Sequence, residues 1–471
     1  MIRSLKQITQ LILKAKQAAY SQMKGSLEPA FTGPVKWPVK CTVGPGLEGA
    51  IACESTVGYV NGSLGALIYR GYDVFDLCAY SNFEEVSYLL IHGALPTRKE
   101  LEEYKQRLVQ YRYLPATLRQ LMSFPVEQMN AMAALRMGVT LMRQEFSLWD
   151  KETGRRVTGQ AIGTDEDSIP METMPRGEPH AVYEFENAYT HKGWTAAETA
   201  EERATGLRTC YHLLAGTPTL AAAVARLRRN QMPLDPDPTL SHAANYLYMI
   251  TGRRPTPIEE RIMDVALILH ADHGMNASAF ATVVVASTLS DMYSSIGSGI
   301  AALNGPLHGG ANEQVVRTLL QIGRPSNVKA WAANALAHKH KIMGFGHRVY
   351  KTYDPRARVL GPLAKHLAGE KRELRDLFET AIALEAEVTA KLGAKGIYPN
   401  VDFYSGLVYA ALGIPLELFT PTFAVARVAG WTARVLEYLQ NNRLFRPRAI
   451  YTGPLNLKFV PLAKRGQKKR T

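Results

Sequence analysis

Apolar positions recur at helical spacing through most of the chain, and few segments show the strict alternation of a half-buried strand. Ile262, Met263, Val265, Ala266, Leu267, Ile268 and Leu269 leave almost no polar side. The stretch from Ile258 to Gly305, free of proline, therefore predicts a helix buried on all sides. A second apolar run, Ala279 to Leu289, predicts another buried helix. Near the N-terminus Leu5, Ile8, Leu11, Ile12 and Leu13 sit at near-helical spacing among Arg3, Lys6, Lys14, Lys16 and Lys24, with no acid before Glu28. That pattern predicts a solvated basic amphipathic helix. Pro34, Pro38, Pro45 and several glycines then interrupt the chain, so the folded body is expected to begin near Gly46. The one clear hairpin signal is Asn61-Gly62, between short apolar runs in residues 57–70. The expected fold is mostly helical.

Composition narrows the class. The chain has 471 residues, 46% of them hydrophobic and 21% charged, enough for a large core built from two or three domains' worth of chain. The formal net charge of +13 suits anionic partners (phosphorylated cofactors, polycarboxylates or nucleic acid) without choosing among them. Cys41, Cys53, Cys78 and Cys210 form no CxxC pair, which points to a reducing compartment and away from a zinc knuckle or redox dithiol. No apolar run approaches the roughly 18–20 residues of a membrane span. The expected setting is cytoplasmic. The alternative, a mitochondrial matrix protein whose N-terminal helix is a transit peptide, fits less well because such peptides carry arginine rather than lysine. Residues 144–190 hold ten acids against four Lys/Arg and read as a surface insertion between helices. Lys464 to Arg470 reads as a solvated basic tail rather than a nucleic-acid arm.

Three local constellations carry candidate chemistry. In Asn304-Gly305-Pro306-Leu307-His308-Gly309-Gly310 a histidine sits in a Gly/Pro turn between two helical patterns, where backbone hydrogen bonds can fix its tautomer. In Met343-Gly344-Phe345-Gly346-His347-Arg348, followed by Lys351, Arg356 and Arg358, two glycines allow close backbone approach to a ligand and leave N–H groups for an anion or an adenine edge. Neither a P-loop nor a dinucleotide fingerprint is present. In Pro399-Asn400-Val401-Asp402-Phe403 a carboxylate stands ahead of an apolar helix, either as its N-cap or as a general base made more basic by desolvation. Two histidines, an aspartate and several arginines fit acid–base chemistry on a dicarboxylate. His270 and His273 flank Asp272, but no third ligand or HExxH accompanies them, and no metal is expected. Cys53, Cys210 and Met275 read as core packing.

Together these motifs resemble the citrate synthase family, from Gly46-Leu47-Glu48-Gly49 through Ser241-His242-Ala243-Ala244-Asn245 and His270–Asn312 to Arg446-Pro447-Arg448. The N-terminal 40 residues and segment 144–190 lie outside the resemblance. It implies an all-α fold: a larger helical domain (residues 41–309 and 413–471) and a smaller one (310–412) closing over the site, with residues 1–40 as an extension. It implies condensation of acetyl-CoA with oxaloacetate and water to give citrate and CoA, with no tightly bound cofactor. Asp402 would be the base, His308 would stabilise the enolate, and His347 would polarise the keto group. His273, Arg356, Arg427 and Arg446 would bind oxaloacetate, Arg446 across a homodimer interface. Lys341, Ile342, Met343, Gly344, Phe345, Gly346, Lys351 and Asn400 would hold CoA. A homodimer or an oligomer of dimers is implied, and neither nucleic acid nor membrane. A 2-methylcitrate synthase using propionyl-CoA shares the triad and is an alternative, as one methylene changes transition-state binding by only about 1–3 kcal/mol. A non-catalytic relative kept for binding or assembly is the alternative of another class.

Overall fold

The computed structural model describes residues 2–23, 32–33, 35–143, 145, 196–459 and 461–465. The acidic segment 144–190, apart from Glu145, and the basic tail beyond Arg465 lie outside the described residues. Helix α1 covers Ile2–Gln22. A small antiparallel sheet follows, β1 (Gly58–Asn61), β2 (Ala66–Tyr69) and β3 (Tyr72–Asp73), in the order β1-β2-β3. The chain then runs through α2 (Val74–Tyr80), α3 (Phe83–His92), α4 (Arg98–Tyr111), α5 (Pro115–Leu121) and α6 (Ala131–Leu141). Next come α7 (Ala196–Leu227), α8 (His242–Thr251), α9 (Pro257–His270), α10 (Ala277–Ser287) and α11 (Met292–Leu303). The last group is α12 (Ala311–Ile322), α13 (Val328–Ala337), α14 (Pro355–Glu370), α15 (Arg372–Leu392), α16 (Val401–Ala411) and α17 (Phe419–Leu439).

Polar punctuation sets these boundaries. Thr97 with Glu100 and Thr256 with Glu259 form reciprocal capping boxes at α4 and α9, satisfying N–H groups that a helix start leaves free. Asn130, Asn276 and Asn400 cap α6, α10 and α16 through their side-chain oxygens. The predicted buried helix is α9, whose residues Ile262 to His270 are all inaccessible. Helix α17 is buried from Phe419 to Val435 and packs against α3, α7, α9, α10 and α11. The apolar run Ala279–Leu289 forms α10, but only one side of it is buried within this chain: Ala279, Val283 and Ala286 face inward while Ala281, Val284 and Val285 are half-exposed.

Two expectations need correction. The N-terminal helix forms but is not solvated. Ile8, Ile12, Ala15 and Ala19, spaced four, three and four apart, are buried against α2, α9 and α14. Lys16 pairs with Asp76 at 2.6 Å and the Tyr20 hydroxyl donates to Asp73 at 2.7 Å. Two alanines complete the buried stripe, which is why a count of large apolar residues understates it. The folded body thus includes residues well before Gly46. The hairpin also differs: Asn61 pairs with Ala66, so the loop holds four residues rather than the two that Asn61-Gly62 predicts. Asn61 stays in the strand, and its Oδ1 accepts from Ser63 N and Leu64 N, building the turn with its side chain.

That loop rests on the segment just after His347. Lys351 N donates to Gly62 O, and a Cβ built at Gly62 would lie 2.1 Å from Val349 O. A side chain there must push two backbones apart. Gly62→Ala should therefore destabilise the protein by about 1–3 kcal/mol. A urea midpoint equal to that of the parent chain would show that the loop yields freely.

Candidate active site

Asp402 occupies the second position of α16. The sequence left it as either a cap or a base, and the geometry decides: Asn400 is the cap, accepting from Asp402 N at 3.0 Å. The Asp402 carboxyl is left free of structural duty. It is buried, and its Oδ1 has no hydrogen-bond partner. Burial pushes it up to about 7, against the pull of Arg356, Arg427 and Lys341. A carboxylate this basic and this poorly solvated is suited to proton abstraction.

His347 lies on the segment between α13 and α14. Its Nδ1 accepts from Val349 N at 2.9 Å and Tyr350 N at 3.1 Å, so the ring proton resides on Nε2. Burial lowers its pKa to about 4, leaving the imidazole neutral at physiological pH. The preceding loop is bound to the start of α16. Gly346 N donates to Tyr398 O, Asn400 N to Gly344 O, and Asn400 Nδ2 to Gly346 O, each at 2.9 Å. Gly344 and Gly346 both adopt positive φ, and a Cβ at Gly344 would meet Val315 at 2.7 Å and Phe403 at 3.0 Å. The glycines thus bring His347 close to Asp402 by allowing this docking. One expected feature fails, since the Gly346 N–H is already used by Tyr398 O and is not open to a ligand.

His308 stands in the turn between α11 and α12, with its Nε2 2.8 Å from Ser278 Oγ and 3.3 Å from Ser278 N. A backbone N–H can only donate, which favours the tautomer with its proton on Nδ1. Burial, then Arg427, brings this imidazole down to about 4 as well. Trp431 Nε1 donates to the same Ser278 hydroxyl at 3.2 Å. Two neutral imidazoles therefore each keep one N–H donor, on Nε2 of His347 and on Nδ1 of His308.

Three guanidiniums are buried around these groups. Arg356 forms a bidentate pair with Asp354 at 3.0 and 2.7 Å, and Arg434 a bidentate pair with Asp272 at 2.7 Å twice. Burial disfavours ionisation of both aspartates, but their arginines outweigh it and hold the carboxyls below the usual range. Among the described residues Arg427 has no carboxylate partner. Its Nε donates to His270 O at 2.6 Å, it stacks over Phe423 at 4.7 Å, and its second terminal nitrogen is buried and unpartnered. A buried cation without a carboxylate partner favours an anionic ligand. His273 joins this group, its ring 5.1 Å from that of His347.

The structure thus brings together Asp402, His347, His308, His273, Arg356, Arg427 and Asn400. Lys341 acts electrostatically on Asp402 and is exposed; Ile342 and Phe345 are buried and Met343 partly so. Lys351 is exposed, its ammonium 3.3 Å from Arg348 O. Arg446 is exposed after α17, and among the described residues no contact joins it to the cluster. Met275, expected in the core, is instead 36% exposed in the turn before α10. Cys210 is buried as expected, Cys53 only partly. His270 turns Nδ1 to Ala266 O at 2.7 Å, within its own helix. Sequence reasoning missed Ser278, Tyr350 and the role of Asp354. Of these only Asp354 had a local signal, the N-cap aspartate before Pro355 and Arg356.

Comparisons with known proteins agree with this picture. The family description "Citrate synthase, C-terminal domain" matches residues 46–448. The citrate synthase of Acidithiobacillus ferridurans is 39% identical over 429 residues, covering 89% of this chain and 98% of that protein. The crystal structure of citrate synthase from Pyrobaculum aerophilum superposes with a TM-score of 0.76 at 39% identity, covering 92% of this chain and 100% of that one. Citrate synthase from the thermophilic archaeon Thermoplasma acidophilum, solved as a ternary complex with carboxymethyl coenzyme A and oxaloacetate, gives a TM-score of 0.75 at 33% identity, covering 90% and 100%. With the matched span running from before β1 to beyond α17 and an all-α fold shared with solved members, the chain belongs to the citrate synthase family.

Proposed function

We propose that Asp402, His308 and His347 divide the chemistry of this enzyme, which condenses acetyl-CoA with oxaloacetate and water to give citrate and CoA. Asp402 takes a proton from the acetyl methyl group. His308 donates its Nδ1–H to the thioester oxygen and stabilises the enolate. His347 donates its Nε2–H to the keto oxygen of oxaloacetate, making the carbonyl electrophilic, and supplies a proton to the alkoxide once the carbon–carbon bond has formed. Water then hydrolyses the citryl-CoA thioester, releasing citrate and the CoA thiol. Both acyl donor and keto acid are substrates, and no tightly bound cofactor takes part.

The observation that carries this reading is the buried Asp402 carboxyl, whose Oδ1 has no partner among the described residues and on which Arg356 and Arg427 act electrostatically. His273, Arg356 and Arg427 would hold the carboxylates of oxaloacetate, with guanidiniums giving bidentate geometry. Lys341 to Gly346, Asn400 and Lys351 would hold CoA, mainly through the loop's shape and two flanking cations, since Gly346 N–H is occupied. Residues 310–412 would move as the smaller domain, carrying His347, Arg356 and Asp402 towards His273, His308 and Arg427, so that closure completes the site.

A homodimer supports the role of Arg446. Beyond α17 the chain exposes Leu444, Ile450, Leu455, Leu457, Phe459 and Leu462, with Ile450 92% and Phe459 82% accessible. Such a series on one extended segment suits burial on a second subunit. The half-exposed valines of α10 add to that apolar surface. Among the described residues no helix is long and apolar enough to cross a membrane. The packing of α1 into the body supports its retention rather than removal as a targeting segment, and with it a cytoplasmic setting.

The pH profile tests the assignment. Asp402 must be ionised to act, and it titrates near 7. Below that value kcat/KM for acetyl-CoA should fall about tenfold per pH unit. Both imidazoles stay neutral down to about 4, so neither should add a limb between pH 5 and 8. A profile flat from pH 8 to pH 5 would rule out a base of this basicity.

A further inference from the structure

Tyr350 is buried to 1% accessibility at the point where the proposed oxaloacetate contacts converge. Its ring centroid lies 5.4 Å from that of His273 and 4.9 Å from that of His347, and the Arg356 guanidinium is 6.0 Å away. Any aromatic ring could supply this packing. The hydroxyl does something more specific: it lies 3.2 Å from Nε2 of His273, its hydrogen-bond partner among the described residues. A phenol buried among apolar and cationic groups is costly unless such a bond is made. The backbone N–H of the same residue helps fix the His347 tautomer. One residue therefore contacts two imidazoles that also pack on each other, one of them 77 positions away in sequence.

Resting on the reading of the site given above, we propose that Tyr350 is a positioning residue for the dicarboxylate substrate: its hydroxyl aligns His273 with the incoming carboxylate. A neutral imidazole offers one N–H donor, and its worth depends on direction. With the hydroxyl bound to Nε2, the ring is held before substrate arrives and Nδ1 is the nitrogen left to meet the carboxylate, so less ordering remains on binding. Without it the ring is free to turn about its χ2 axis and present the wrong edge. The effect falls on the keto acid and not on the thioester, because Tyr350 touches His273, His347 and Arg356 but not the His308–Ser278 pair.

The experiment is steady-state kinetics of Tyr350→Phe, His273→Asn and the double variant. Tyr350→Phe should raise KM for oxaloacetate about five- to twentyfold, equivalent to about 1–1.8 kcal/mol. Its kcat should stay within threefold and its KM for acetyl-CoA within twofold. In the His273→Asn background the same change should add little, because the imidazole that the hydroxyl aligns is gone. Tyr350→Phe with unchanged oxaloacetate KM, or effects that simply add in the double variant, would overturn the proposal. If His273→Asn itself leaves oxaloacetate KM unchanged, the assignment of the keto-acid site fails instead, so the two failures are distinct. Should Tyr350→Phe fold poorly, 4-fluorophenylalanine incorporated at position 350 keeps the ring and puts in the hydroxyl's place a fluorine that cannot donate a hydrogen bond. An unchanged oxaloacetate KM in that protein would count against the proposal equally.

Discussion

Asp402→Ala should lose several decades of kcat while oxaloacetate still binds, since the base acts on the acetyl methyl and the keto acid is held by other groups. Retention of more than about a tenth of the parent kcat, only ~1.4 kcal/mol, would remove Asp402 from the mechanism. The isosteric change Asp402→Asn adds a second readout with the opposite sign. The folded carboxyl titrates near 7 and an unfolded aspartate near 3.8. Well below 3.8 both states are protonated and the group costs the fold nothing. Between 4 and 7 the unfolded chain ionises first, and above 7 the full penalty of holding a buried charge applies, up to roughly 4 kcal/mol. Asp402→Asn should therefore melt clearly higher than the parent at pH 8, with most of that difference gone at pH 4. Asp402, acting as the proposed base, is thus expected to trade stability for activity.

How far the sequence foretold this site depends on how far apart its partners lie. Helix α9 was legible because its apolar run is continuous. The motifs around His308, His347 and Asp402 were legible because glycines, prolines and chemistry sit within a few residues of one another. The choice between cap and base at Asp402 was not, because Asn400 and Asp402 are both good caps and only coordinates show which side chain accepts from backbone. Ser278 lies 30 positions from His308, and Arg434 lies 162 from Asp272. No local pattern announces either pair. The docked α1 was misjudged for a different reason: alanine fills half of its buried stripe, and the groove that receives it is built from helices far along the chain.

Arg446 gives the second large expectation. Within one chain it is exposed, and among the described residues nothing joins it to the cluster it was expected to serve. If it completes the partner's site, Arg446→Ala and Asp402→Ala proteins should each be nearly inactive alone. Mixed under conditions of subunit exchange, they should regain activity, because one site of the mixed dimer has Asp402 from one protomer and Arg446 from its partner. With equal amounts and random pairing, half the dimers are mixed and each holds one intact site, so recovery should approach about a quarter of the parent activity. No recovery after exchange has been verified by mass would place Arg446 outside the site. Loss of the dimer in Arg446→Ala alone would assign it to assembly.

The indole of Trp431 gives its N–H to the Ser278 hydroxyl, which in turn meets Nε2 of His308. Trp431 is fully buried, so solvent does not touch its ring. If His308 commits its other nitrogen to a thioester oxygen, as proposed, the electron density on Nε2 would change and the pull on the serine hydroxyl with it. That shift would reach a fluorophore through two hydrogen bonds. If His308 acts as proposed, this buried indole would be an intrinsic optical reporter two hydrogen bonds from that imidazole and shielded from bulk water, read without a label.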